Sequence, residues 1–185
     1  VTFRTEEGIV EQRQCPAGMK VGTLPPTPTH EGYAFEGWWT AADGEQATEE
    51  TTVTNDVTYY AKWRGTATVG DYTYTYSVLN GQAEIGKGES SWEAAVSPKP
   101  TGDVVIPSTL DGYPVTGIGR YAFYGFGPTS FEIPEGVVDI RKFAFRYSSL
   151  TNVVIPSSVT GIHVWAFEFC DRQVNFTVDS ANVVY

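Results

Sequence analysis

A six-residue motif, IxxxAF, recurs in the second half of the chain at one fixed period. Its copies occupy residues 118–123, 140–145 and 162–167, so their alanines are 22 residues apart. An apolar pair followed by proline accompanies the motif and ends at Pro107, Pro134 and Pro156; an insertion at 110–114 lengthens the first interval by five residues. A sequence with such a period folds as a stack of similar units. Each unit buries its apolar face only against its neighbours, so we expect any function on the outer surface.

The residues before the third proline indicate how one unit folds. Residues 150–155 fit the pattern LxxLxL, and alternate side chains of a strand point to opposite sides. We therefore expect Leu150, Val153 and Ile155 in the core. A period of about 20 to 29 residues with one short strand per unit is typical of a leucine-rich-repeat solenoid. The sequence thus predicts a short solenoid of about three rungs over residues 103–185.

The same alternation predicts which strand positions face the solvent. In the other rungs the inward pairs are Val104 with Ile106, Phe131 with Ile133 and, after one extra residue, Phe176 with Val178. The outward positions carry small or polar side chains and form the candidate binding face. Its residues are Thr129, Ser130, Glu132, Thr151, Asn152 and Val154.

The Ala and Phe of each motif are predicted to form a ladder in the core, because a buried repeat needs one residue type at each equivalent position. The position before each Ala is aromatic and holds Tyr121, Phe143 and Trp165. Stacked at a strand spacing of about 4.8 Å, these rings would form an aromatic strip, and exposed apolar strips often mark contact sites. The alternative is that they pack beneath the connecting loops. The three residues are included among the candidate binding residues.

This half of the chain resembles the BspA-like leucine-rich repeats of bacterial surface proteins. The segments that carry the resemblance are IPSTLDGYPVTGIGRYAF and IPSSVTGIHVWAF, and it covers about residues 103–185. It implies an extracellular repeat protein that adheres to host or bacterial surfaces, and it implies no catalytic residue. Pro128 and Arg172 depart from the repeat pattern, so we expect local irregularity there.

Residues 1–64 lack the period and are rich in aromatic residues. Five of these are expected to pack a small β-rich core: Tyr33, Phe35, Trp38, Tyr60 and Trp63. One strand is predicted at the beginning of the chain and a pair of strands within 53–63. The segments LPPTP, GYAFEGWWT and TYYAKW are similar to the Listeria-Bacteroides repeat, the module of the internalin B-repeat. That resemblance implies a β-grasp-like fold, found in extracellular bacterial proteins, with a role in spacing or weak adhesion.

Residues 65–102 connect the two parts. Asn80-Gly81 lies between the alternating segments 71–78 and 82–85, which is the strongest short signal for a β-hairpin. Because the first rung of a solenoid exposes an apolar face, we expect the hairpin to cap the repeats. A loop with a short helical turn near Trp92 would close the cap. The predicted fold class is mainly β: a β-grasp-like module, a hairpin cap and a short solenoid.

Composition argues against several kinds of partner. Acidic residues exceed basic ones in all three parts, and the net charge is −10. No basic patch suits a phosphate backbone, so nucleic acid is not an expected partner. No apolar run approaches the length of a membrane span, and no signal peptide is visible. Both ends lie within predicted strands, as expected of a piece cut from a longer secreted protein.

The sequence gives little indication of a catalytic or metal-binding site. Cys15 and Cys170 lie in different parts, and two free thiols are expected in preference to a disulfide between them. Together with His30 and His163 they lack the paired ligand spacing of a zinc site. No motif for a nucleophile, a phosphate loop or a calcium loop occurs. The sequence predicts no catalytic residue, no metal and no cofactor.

Two non-enzymatic functions are the main alternatives. The favoured one is a non-enzymatic cell-surface or secreted module that binds a host or bacterial surface protein or glycan through the repeats. The rival is a structural stalk that displays other domains of a longer surface protein. The first predicts binding that depends on outward repeat residues, whereas the second predicts no binding. An enzyme is the weakest of the three hypotheses, because no constellation of reactive groups supports it.

Overall fold

The structure is a computed structural model that describes residues 1–42, 44–88, 91–127, 130–170 and 173–185. These residues form fifteen β-strands and no α-helix. The predicted mainly-β fold class is therefore confirmed. The chain divides into two units, one of Val1–Gly65 with Val78–Gly81 and one of Thr66–Ser77 with Gln82–Tyr185.

Four strands build the sheet of the first unit. They are β1 (Thr2–Thr5), β2 (Gly8–Gln12), β3 (Ala34–Trp39) and β4 (Thr58–Val69). β1 pairs antiparallel with β2 and parallel with β4, and β3 pairs antiparallel with β4. The predicted strand pair within 53–63 is wrong, since β4 is one strand that starts at Thr58. Val53 instead exchanges backbone hydrogen bonds with Gly18 and Met19, at 2.8 and 2.9 Å.

The core of the first unit is aromatic, as expected, but only some of its residues are those that the sequence predicted. Phe3, Trp38, Tyr59 and Trp63 are buried. Phe3 packs edge-on against Trp38 and stacks on Tyr59, with ring centroids 5.3 and 5.5 Å apart. Tyr33, Phe35 and Tyr60, also predicted in the core, are only half-buried. Tyr59 and Trp63 lie an even number of residues apart and share one side of β4, whereas Tyr60 points to the other.

The predicted hairpin is present. β5 (Tyr72–Leu79) and β6 (Gln82–Ile85) flank Asn80 and Gly81, whose φ angles of 51° and 73° suit a tight hairpin turn. β6 pairs parallel with β10 (Tyr113–Ile118), the position that a cap would take. The helical turn expected near Trp92 is absent. β7 (Val96–Ser97) pairs with β5 instead, and Trp92 is exposed.

Each repeat contributes two short strands, not the single strand that the period suggested. One parallel ladder joins β10, β12 (Asp139–Ile140) and β14 (Gly161–Ile162). The other joins β8 (Val104–Val105), β11 (Ser130–Glu132), β13 (Asn152–Ile155) and β15 (Asn175–Val178). Pro134 and Pro156 lie just beyond strands of the second ladder, because proline has no amide to donate. Their carbonyls accept hydrogen bonds from Val137 and Val159, so the chain turns and begins the second strand.

The repeat motif fills the core as predicted. Phe123 and Phe145 are fully buried and stack 5.2 Å apart, and Phe145 stacks on Phe167 at 5.1 Å. The inward residues of the first three strands in the second ladder are buried as well: Val104, Ile106, Phe131, Ile133, Leu150, Val153 and Ile155. The prediction for the last strand is wrong, because Phe176 is 48% exposed and Val178 is exposed too. Their register is inward, but no described strand pairs with the outer edge of β15.

The five-residue insertion in the first repeat is ordered. β9 (Thr109–Leu110) pairs antiparallel with the first residues of β10 around a turn at Asp111 and Gly112. Both turn residues have positive φ, 47° and 86°. The hydroxyl of the buried Tyr76 donates a 2.7 Å hydrogen bond to the Asp111 carboxylate. This bond ties the insertion to β5.

Candidate functional site

The first candidate surface lies on the solvent side of the β8-β11-β13-β15 ladder, and we call it the strand face. It comprises Val105, Ser130, Glu132, Thr151, Asn152, Val154, Asn175 and Thr177. Ser130 and Thr151 are half-buried and the other six are exposed. Thr129, which the sequence also placed here, lies outside the described residues.

The strand register arranges this face in two rows. One row runs from Ser130 through Asn152 to Asn175, and the second from Val105 through Glu132 and Val154 to Thr177. In the first row the Asn175 side-chain amide donates to the Asn152 side-chain oxygen at 3.4 Å. The Ser130 hydroxyl donates to Asp103 at 2.6 Å. The strand face therefore combines polar side chains with two exposed valines, and its side chains differ from rung to rung.

The second candidate surface contains the residues that precede each Ala of the motif. The rings of Tyr121, Phe143 and Trp165 stack, and Trp92, which lies outside the motif, adds a fourth ring next to Tyr121. We call these four rings the first column. Successive centroids are 5.2, 5.2 and 5.5 Å apart, and the planes of Phe143 and Trp165 differ by 4°. Both sequence alternatives describe part of this column, because Tyr121 is 1% exposed, Phe143 is half-buried and Trp165 is 49% exposed.

A second column lies beside the first and was missed from the sequence. It consists of Tyr124, Tyr147 and Phe169; Tyr147 stacks on Phe169 at 5.1 Å and meets Tyr124 edge-on at 5.7 Å. Tyr124 also contacts Tyr121 at 5.4 Å, so the columns touch. The sequence does contain a signal for this column, because Tyr147 and Phe169 are one repeat period of 22 residues apart.

Five of the seven residues in the two columns have a left-handed backbone, the exceptions being Trp92 and Tyr124. Phe143 and Trp165 have φ of 64°, and Tyr147 and Phe169 have φ of 58° and 54°. Bulky residues rarely adopt this region, and doing so costs on the order of 1 to 3 kcal/mol each. In the first repeat the position equivalent to Tyr147 is Gly125, with φ of 66°. The turn therefore accepts a glycine, and its aromatic residues carry a backbone cost.

Three basic side chains lie against the columns. The Arg120 guanidinium carbon is 5.1 Å from the Tyr121 centroid, and Lys142 Nζ is 4.3 Å from that of Trp165. The Arg146 guanidinium carbon lies 4.9 Å from the centroids of both Phe143 and Tyr147, which belong to different columns. We call the two columns with Arg120, Lys142 and Arg146 the aromatic face.

The surroundings of Arg146 act on its pKa in opposite directions. Burial lowers that pKa, whereas the Glu168 carboxylate, 2.9 Å from Arg146 Nε, together with Tyr147 and Tyr121 raises it, and the net shift is upward. Lys87, Lys99 and Glu93 line a shallow depression together with Trp92 and Tyr124. Lys99 donates to the Gly125 carbonyl at 3.2 Å, and Lys87 pairs with Glu93 at 2.9 Å. That hydrogen bond lowers the pKa of Glu93.

A separate charge cluster joins the hairpin to the rungs. Arg141 pairs with Glu84 of β6 at 3.0 Å and with Asp139 of β12 at 2.6 Å, and His163 lies 3.2 Å from Asp139. Gly161 makes room for this arrangement, because a Cβ there would lie 2.2 Å from an Asp139 oxygen. Arg141 is buried. The cluster thus fixes the stacking of the rungs.

The described residues contain no group of three or more His, Cys, Asp or Glu side chains placed to hold a metal ion. Cys15 and Cys170 are half-buried and are not joined by a disulfide. The Cys170 sulfur lies 3.3 Å from the hydroxyl of Ser148, which occupies the equivalent position of the preceding repeat. No described helix has the length and apolar character needed to cross a membrane.

Comparison with known families assigns both parts of the chain. Residues 1–62 match the model of the Listeria-Bacteroides repeat domain. Residues 103–184 match the model of the BspA type leucine rich repeat region. No curated protein and no solved structure gives a match to the chain.

Proposed function

Because the chain carries a Listeria-Bacteroides repeat domain and a BspA type leucine-rich repeat region, we propose that it is a non-enzymatic module of a bacterial cell-surface or secreted protein. Its role is adhesion, through binding of a host or bacterial surface protein or glycan to the outer surface of the repeats. Both families are typical of bacterial surface proteins.

The strand face carries this proposal. The residues that define the repeat, such as Ala144, Phe145 and Ile155, are buried and hold the rungs together. The residues that differ between rungs lie in register on an exposed sheet, with Ser130 and Asn152 in one row. A surface that combines a rigid backbone with variable side chains is suited to selective binding.

Binding to an array of matrix proteins and glycans tests the proposal. The variant E132A/T151A/N152A should lose at least tenfold in affinity for the partners of the wild-type chain. Its melting temperature should not change, because exposed and half-buried polar side chains away from the core contribute within about 0.5 kcal/mol.

A matched control comes from the first unit. The variant E49A/T54A/N55A removes the same three residue types from exposed positions, and it should bind as the wild type does. Unchanged binding by E132A/T151A/N152A would place the site elsewhere on the repeats. An array on which the wild-type chain binds nothing would refute adhesion and favour the structural stalk.

A further inference from the structure

We propose that the aromatic face binds an acidic polysaccharide. Its sugar rings lie against the two aromatic columns, and its carboxylate or sulfate groups pair with Lys142 and Arg146. This inference rests on the proposed function and deepens it, because it names the ligand class of one surface of the repeats.

The exposure of Tyr147 is the first argument. Tyr147 lies in a middle rung, with Tyr124 on one side and Phe169 on the other, and it is still 46% exposed. Its exposure is therefore not an effect of the last rung. Gly125 shows that the same turn forms without a side chain and without backbone strain. A tyrosine that strains its turn and packs only partly is suited to a surface role.

The basic residues of the aromatic face also favour an acidic ligand. Four basic residues are described within 103–185, and three of them, Arg120, Lys142 and Arg146, lie on the aromatic face. The fourth, Arg141, is paired with Glu84 and Asp139, and Arg146 shares its charge with Glu168 at 2.9 Å. The whole chain carries −10, so this concentration of positive charge runs against its composition. A cation that also lies over an aromatic ring favours an anionic ligand with apolar faces.

Spacing distinguishes a polysaccharide from other polyanions. Stacked rings in the columns recur at 5.1 to 5.5 Å, which is close to the length of one pyranose unit. An extended acidic peptide advances about 3.3 Å per residue, so its side chains on one side recur at roughly 6.6 Å. Nucleotides in a stacked strand recur at about 3.4 Å. The ring spacing matches neither of these two polymers, which favours a chain of sugars.

Titration calorimetry at low salt tests the inference. The probes are polygalacturonate, alginate, hyaluronan and chondroitin sulfate, with carboxyl-reduced polygalacturonate as the neutral counterpart. At least one acidic polymer should bind tenfold or more tightly than the neutral polymer, and its affinity should fall as salt rises. The inference is overturned if no acidic polymer binds. Equal binding by the reduced polymer, by polyglutamate or by oligothymidylate overturns it as well.

Two variants localise the site. K142Q/Y147G and the single variant K142Q should both weaken binding, the double variant by tenfold or more. Glycine relieves the strained turn, so the double variant should remain folded. K20Q, which removes an exposed lysine of the first unit, is the matched control and should bind normally. Unchanged affinity in K142Q/Y147G overturns the inference.

The strand-face variant separates the two proposals. E132A/T151A/N152A should keep its affinity for the acidic polysaccharide. If the array shows only protein or neutral-glycan partners, the inference about acidic sugars fails and adhesion stands. If the wild-type chain binds nothing on the array and no polymer in the calorimeter, both fail.

Discussion

Replacing Phe145 with alanine tests the packing on which the repeat stack depends. Phe145 is fully buried, stacked between Phe123 and Phe167 and edge-on to Phe131 at 5.1 Å. Removing a buried phenylalanine costs about 3 to 5 kcal/mol through lost burial and the cavity that remains. Each lost aromatic pair adds roughly 0.5 to 1.5 kcal/mol, although these terms overlap.

The cavity cannot close easily, because the backbone on both sides is fixed. Phe123 donates to the Ala144 carbonyl and Phe145 donates to the Ala166 carbonyl, both at 2.8 Å. We therefore expect Phe145→Ala to cost about 4 to 5 kcal/mol, at the upper end of the usual range. Domains are stable by about 5 to 15 kcal/mol, so this is a large part of the total. Phe167→Ala should cost roughly half as much, because Phe167 is only half-buried.

Amide hydrogen exchange resolved by peptide is the suitable measurement. The two units need not unfold together, and repeat arrays depart from two-state behaviour. Exchange free energies in β11 and β13 should fall in Phe145→Ala, while those of β1 serve as the internal control and should not change. A cost below about 1.5 kcal/mol, or one no larger than that of Phe167→Ala, would refute the claim that the ladder holds the rungs.

Two further predictions concern charge. Arg141→Ala leaves the carboxylates of Glu84 and Asp139 without their common cation. The free energy of unfolding of the second unit, measured with urea, should therefore fall by about 2 to 4 kcal/mol. A fall of less than about 1 kcal/mol would count against a structural role for the cluster. Burial raises the pKa of Tyr74 and of Tyr59 above 10.0, so the folded state retains these protons more tightly than the unfolded state. The resulting stability is complete below pH 10 and is lost as the pH rises through the folded pKa values. Tyrosinate absorbance and circular dichroism should change together in this range, and full ionisation near pH 10 without unfolding would contradict the prediction.

The period in the sequence predicted the core well because burial acts on side-chain type. Alanine and phenylalanine recur at the positions of Ala144 and Phe145, because each rung needs one small and one large apolar side chain to fill the same layer of the core. Asn80-Gly81 predicted its hairpin for a similarly local reason, because both residues readily adopt positive φ. These signals lie within a few residues of the structure that they specify.

Other features depend on neighbours that the local pattern does not contain. The second strands of the two later repeats, β12 and β14, have only two residues each and show no alternation that could reveal them. Phe176 has the inward register of Val153, but its exposure depends on whether a strand covers β15. Tyr59 and Tyr60 differ only in which of them faces the core, and a one-residue shift in strand register reverses that choice.

The aromatic columns show why repeat position alone does not define a binding site. Tyr121, Phe143 and Trp165 occupy one repeat position with nearly the same backbone conformation, yet their exposure rises from 1% at Tyr121 to 49% at Trp165. Burial along the stack therefore depends on what covers each ring, whereas the ring type depends on the repeat. Arg146 adds a feature that the period does not contain, since it contacts both columns and pairs with Glu168. If this surface binds as proposed, its selectivity comes from such unrepeated side chains, and substitutions that leave the rings intact should change which ligand binds more than whether the rungs stack.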